Sequence, residues 1–212
     1  MKRLIVQAAV LFAGALTLVG MGAVSSMISG HEPVVATVET APEVKVDSTS
    51  ALATMTSQLK ATRVELQRAH QILEYSSRYA ITADLAASIY DHAVKERIPP
   101  AIGFALVKIE SKFQNTAYSY ASAIGLTQLM LPTARAYDPS INASDLMNRD
   151  VNLRIGFRYL RDLLDRFDND VALALEAYNK GPTLITAQRE MGEEVRGRYS
   201  RAVLSGARRG SL

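Results

Sequence analysis

The 212-residue chain contains no cysteine. That excludes disulfides, thiolate zinc sites, a cysteine nucleophile and an acylated N-terminal cysteine anchor. Histidine is scarce as well. His31, His70 and His92 do not form an H-x-x-x-H or HExxH spacing, so no metal and no other cofactor is expected. Nor is there a strong charge of either sign. The net charge is +3, and because residues 1–50 carry three basic and four acidic groups, the remainder stands at +4. Such an excess favours approach to an anionic polymer or surface. It is too small and too scattered for a nucleic-acid footprint, so no nucleic-acid partner is expected.

What is present first is an apolar run. Met1-Lys2-Arg3 is followed by an almost uninterrupted hydrophobic stretch from Leu4 to Val24. These 21 residues would make roughly 31 Å of helix, enough to cross a bilayer. Gly22, Ala23, Ser25 and Ser26 offer cleavage positions, so residues 1–29 read either as a signal peptide or as a retained membrane anchor. Both readings export the rest of the chain to the periplasm or cell envelope, and the anchor would make the cytoplasmic membrane a partner. Residues 30–50 are polar, hold Pro33 and Pro42, and read as a linker.

Residues 51–79 read as one long helix. Leu52, Met55, Leu59, Thr62, Leu66, Ala69 and Leu73 recur at 3-4 spacing, the period of a coiled-coil seam. The helix is a stalk, a packing helix, or a weak homodimer contact through residues 51–78. A compact domain follows over residues 80–207. Thr82 is placed to cap a first helix, and Pro99-Pro100 to open a second that carries Ile102, Ala105, Leu106 and Ile109 up to Glu110. A short helical piece is expected around Leu126–Tyr137. Asp150 and Asp170 are placed to cap two more helices, the last stopped by Gly181-Pro182. No convincing strand alternation appears, so the fold class is mainly α.

Glu110 ends an apolar helix face. A carboxyl group pressed toward a core favours its neutral form, and a proton-bearing glutamate suits a general acid acting on a glycosidic oxygen. Between Ser111 and Tyr137 there is no Asp or Glu at all. A two-carboxylate glycosidase needs its second acid within about 5–9.5 Å of the first. This stretch instead offers Ser, Tyr, Thr, Asn and Gln, which suit sugar hydroxyls and amides.

Three blocks carry a resemblance over roughly residues 82–182. They are Glu110-Ser111-Lys112-Phe113, then Ser119 to Ala134 with Gly125-Leu126-Thr127-Gln128-Leu129-Met130 at its centre, then Ala177-Tyr178-Asn179-Lys180-Gly181-Pro182. In order and spacing they resemble the soluble lytic transglycosylase domain, a family related to goose-type lysozymes. The resemblance implies a lysozyme-like domain acting on peptidoglycan glycan strands. It implies Glu110 as the single catalytic acid and base, with Ser119, Gln128, Met130, Tyr178 and Asn179 as substrate-binding residues. Tyr178 would hydrogen-bond near the catalytic carboxylate, and Tyr199 matches a tyrosine near the domain's end. The implied reaction is non-hydrolytic cleavage of the MurNAc-GlcNAc β-1,4 bond, leaving 1,6-anhydroMurNAc ends.

The chain departs from the family at Ser122, Thr127, the extra Leu131, Glu176 and Lys180, which puts substrate fit in question more than chemistry. A muramidase would need a remote acid such as Asp138, Asp145 or Glu193. A non-catalytic peptidoglycan-binding scaffold would rest its function on the 51–78 helix.

Overall fold

The computed structural model describes residues 48–195 and 197–209. The N-terminal apolar run and residues 30–47 of the linker lie outside them. Among the described residues, no helix is long and apolar enough to cross a membrane.

Eight α-helices and one small hairpin make up these residues: α1 (Ser48–Tyr79), α2 (Ala83–Lys95), α3 (Pro100–Ser111), β1 (Ala123–Ile124), β2 (Leu129–Met130), α4 (Leu131–Arg135), α5 (Arg149–Arg166), α6 (Val171–Lys180), α7 (Pro182–Glu190) and α8 (Arg198–Arg209). The helix starts follow local chemistry. Thr82 accepts the Leu85 N–H at 3.2 Å at the start of α2, and Asp170 accepts those of Ala172 and Leu173 at the start of α6. Pro100 opens α3, where its missing N–H has no helical partner to lose. At α5 the cap is Asn148, which accepts from Asp150 and Val151, so Asp150 falls in the first turn instead of capping it.

The core gathers around α3. Ile102, Phe104, Ala105, Leu106 and Val107 are buried one after another, as expected of a helix covered on several sides. α2, α5, α6 and α8 surround it with Ile89, Ala93, Phe157, Leu160, Leu175 and Val203. A second, smaller cluster of Ile124, Leu129, Ala134, Ile141, Leu146 and Ile155 lies under the hairpin. The hairpin pairs Ala123 with Met130 and Ile124 with Leu129. Two-residue strands are too short to show alternation in a sequence. The helical piece expected around Leu126–Tyr137 is confined to α4, because the hairpin occupies its first half.

α1 meets the domain with its last turns only. The seam anticipated from the sequence is solvent-facing: Leu59 is 72% exposed and Leu66 70%. The docking face is a different one. Ile72 and Tyr75 are buried, Tyr75 stacks on Phe104 with ring centroids 4.1 Å apart, and Tyr79 leans on Phe113 at 5.1 Å. Arg68 adds an ion pair to Asp91 of α2, Nε to Oδ1 at 2.7 Å. The hydrophobic core thus takes in residues upstream of 80, and residues 49–70 project as an exposed helix.

Candidate active site

Glu110 is the next-to-last residue of α3, and the helix ends where Lys112 turns left-handed at φ 53°. Its neighbour Ser111 ties that end down, donating to the Leu126 carbonyl at 2.8 Å. The Glu110 carboxyl group is largely buried. Burial pushes its pKa from 4.5 up to about 7, against the opposing effect of a hydrogen bond donated by the Tyr199 hydroxyl of α8. Burial, then the Glu110 charge, raise the Tyr199 phenol far above its usual range, so it stays a donor. The resemblance implied that Tyr178 hydrogen-bonds near this carboxylate; the bond to the carboxylate itself comes from Tyr199. The Tyr178 hydroxyl donates instead to the Thr127 carbonyl at 2.8 Å. It stays close enough that, after burial, the Glu110 charge is the next cause raising its own pKa.

The floor beside Glu110 is organised by a residue the sequence did not single out. Asn152 of α5 is buried, and its side chain serves four groups. Its Oδ1 accepts the Thr127 N–H at 2.8 Å and the Thr127 hydroxyl at 2.7 Å. Its Nδ2 donates to the carbonyls of Ile124 at 2.8 Å and Leu146 at 2.9 Å. Gly125, at φ 79°, leaves room for this amide, since a Cβ there would lie 2.3 Å from Nδ2. Thr127 is buried against Gly156, so this departure from the family lies beneath the groove rather than in it.

Gln128, Met130, Tyr178 and Asn179 line one cavity of about 270 Å³, together with Thr133, Tyr159 and Lys180. The Gln128 amide nitrogen donates to the Gly125 carbonyl at 2.9 Å and the Ala117 carbonyl at 3.3 Å, which spends its donors on the backbone. Asn179 and Lys180 also line a second cavity of about 420 Å³, with Ile109 and Tyr199. Four of the five substrate-binding residues expected from the sequence therefore share one cleft, and Asn179 links it to the residue that holds Glu110. Ser119 sits apart as a turn residue. Its hydroxyl accepts the Ala123 N–H at 3.0 Å and its backbone closes the loop before β1.

The remote acids are committed elsewhere. Asp138 accepts from Ser140, Asp145 from the Asn142 N–H, and Glu193 from Gln188, each on an exposed local turn. No group of three or more His, Cys, Asp or Glu able to hold a metal occurs among the described residues.

A mainly α fold in which one largely buried carboxyl group ends α3, held by a tyrosine that lines the neighbouring cavity, defines a lysozyme-like domain. The chain belongs to the transglycosylase SLT domain family, whose profile matches residues 87–196. Two solved structures are similar to it. One is the lytic transglycosylase Slt of Pseudomonas aeruginosa in an inactive variant, with a TM-score of 0.52 and 28% identity over 57% of this chain and 23% of that one. The other is the 70 kDa soluble lytic transglycosylase of Escherichia coli, with a TM-score of 0.53 and 22% identity over 63% of this chain and 24% of that one. The chain thus spans about a quarter of the length of these enzymes.

Proposed function

We propose that this chain is a peptidoglycan lytic transglycosylase acting outside the cytoplasmic membrane. The observation that carries the reading is Glu110: one carboxyl group, poised near pH 7 by burial and held by Tyr199, which lines a cavity together with Asn179. A general acid works best with a pKa near the operating pH.

Glu110 gives its proton to the oxygen bridging the two sugars, and the bond from that oxygen to C1 of the muramic residue breaks. The muramic C6 hydroxyl then bonds to C1 and returns its proton to Glu110. The product is a 1,6-anhydro end, and no water is consumed. Tyr199 keeps the carboxyl group aimed, while Met130, Tyr178 and Asn179 border the cleft that would receive the glycan. The family match and the absence of acids from 111–137 support this route over hydrolysis. So do the engaged side chains of Asp138, Asp145 and Glu193.

Mass spectrometry of digested peptidoglycan tests the reading. Anhydro ends are expected. Reducing ends would make the chain a muramidase, and an unchanged substrate would make it a glycan-binding scaffold. Glu110→Gln should reduce cleavage by about 10²–10⁴-fold. A variant keeping a tenth of the activity would remove Glu110 from its role.

A further inference from the structure

One buried charge takes no part in this chemistry. Glu176 lies on α6 two residues before Tyr178, with no exposed surface. Two residues along a helix turn the side chain by about 200°, so Tyr178 and Glu176 leave α6 on opposite sides. A lone buried carboxylate costs several kcal/mol in water lost unless it is paired and hydrogen-bonded.

Its partners reveal a purpose. One Glu176 oxygen accepts the backbone N–H of Ser200 at 2.8 Å, and the other meets the Lys180 ammonium at 2.9 Å. Ser200 is the third residue of α8, where a backbone N–H has no partner within the helix. A preceding side chain usually supplies that acceptor, but residue 197 is glycine. A Cβ at Gly197 would lie 2.3 Å from the Glu176 carboxylate, so the missing side chain is what admits a cap from another helix. Negative charge at this end also suits the helix dipole. The residue next to Ser200 is Tyr199, which holds Glu110.

Resting on the reading of Glu110 as the acid, we propose that Glu176 is a positioning residue. Its carboxylate caps α8 from outside the helix and thereby keeps the Tyr199 hydroxyl on Glu110. The groups around it agree. Burial pushes the Glu176 carboxyl up, but the Ser200 N–H and Lys180 outweigh burial and hold it below the ordinary carboxylate range, so the cap is ionised where Glu110 titrates. The charged and titratable groups facing it are Lys180 on its own helix, Arg198 and Tyr199 on α8, and Glu110 beyond Tyr199.

The test reads Glu110 directly, by carbon NMR of labelled glutamate carboxyl groups in the full chain in detergent micelles. Glu110→Gln identifies its signal. Tyr199→Phe removes the hydrogen bond that lowers the Glu110 pKa, so its midpoint should rise by about 1 pH unit, the equivalent of one hydrogen bond to a charged group. Glu176→Ala should raise the midpoint in the same direction by at least half as much. The double variant should go no further than Tyr199→Phe alone. Glu176→Gln keeps an oxygen for the Ser200 N–H and should return the midpoint most of the way.

A Glu176→Ala midpoint equal to wild type overturns the proposal. So does a double variant whose shift is the sum of the two, or a Tyr199→Phe midpoint that does not move. Should Glu176→Ala not fold, Glu176→Asp, which withdraws the cap by one methylene, carries the same expectation. Because the signal is a titration and not a product, an inactive wild type would overturn the cleavage reading while leaving this result legible.

Discussion

Glu110→Gln should make the protein more stable as well as inactive, by an amount that grows as pH rises through neutrality. In the folded chain Glu110 titrates at about 7 against an ordinary 4.5. The folded state therefore holds this proton more tightly than the unfolded state does. Below pH 4.5 both states are protonated and the stability linked to Glu110 is fully present. Between 4.5 and 7 only the unfolded chain releases its proton, so stability falls as pH rises. Above 7 the loss is complete. The difference between the two values amounts to about 3 kcal/mol at roughly 1.4 kcal/mol per unit. Glutamine has nearly the same shape, can still accept from Tyr199, and does not titrate. At pH 8.5 its melting temperature should exceed wild type by about 6–12 °C, taking 2–4 °C per kcal/mol for a domain of this size. At pH 5 the gap should shrink to about 2 °C, since only half a unit of the titration has been traversed. Thermal melts of both proteins by circular dichroism at the two pH values decide it. An equal gap at pH 5 and 8.5, or a wild type more stable at 8.5, would refute the account of Glu110 as a strained, half-buried acid.

Asn152→Leu would leave the Thr127 N–H and two backbone carbonyls without partners. At about 1–3 kcal/mol for each unsatisfied group, urea unfolding should show a loss of 3 kcal/mol or more. A chain cut to residues 80–212 loses Ile72 and Tyr75 from the face of Phe104. Urea unfolding should place it about 3–6 kcal/mol below a chain starting at residue 48. Sedimentation should find the chain from residue 48 monomeric at micromolar protein, because Thr62 and Ala69 add little to bury along its exposed seam; a dimer persisting at nanomolar protein, absent from a chain starting at residue 70, would make the seam a coiled coil. A reporter active only in the cytoplasm, fused after Leu212, should stay dark; a bright fusion would mean the apolar run at residues 4–24 does not export the chain.

The helices that announce themselves with caps and apolar stripes were legible in the sequence. Thr82, Pro100 and Asp170 mark helix starts by chemistry confined to a few residues. Asn148 and Asp150 are both competent caps two positions apart, and only the backbone decides between them. α7 and α8 were not read as helices, although Tyr199 was matched to the end of the domain. The buried residues of α8 are Ser200, Val203 and Ala207, small side chains set against an arginine-rich outer face, and the stripe they make is short. Glu110 was readable because its burial follows from its place on α3. Its partner was harder, since Tyr199 lies 89 residues further along the chain. The same holds for Asn152, whose bonds to Thr127 span 25 residues. Gln128 and Ser119 show the opposite limit: a motif marks their positions, but their visible hydrogen bonds are to the chain's own backbone.

The distance along the chain between Glu110 and Tyr199 has a consequence for the order in which the protein becomes active. The acid is made first, and the group that aims it follows 89 residues later. α8 cannot seat until α3 and α6 have formed the surface that receives it. An unfinished or prematurely ended chain that stops before Arg198 contains Glu110 with nothing to hold it. The site around Glu110 is therefore complete only once α8 has been made and seated.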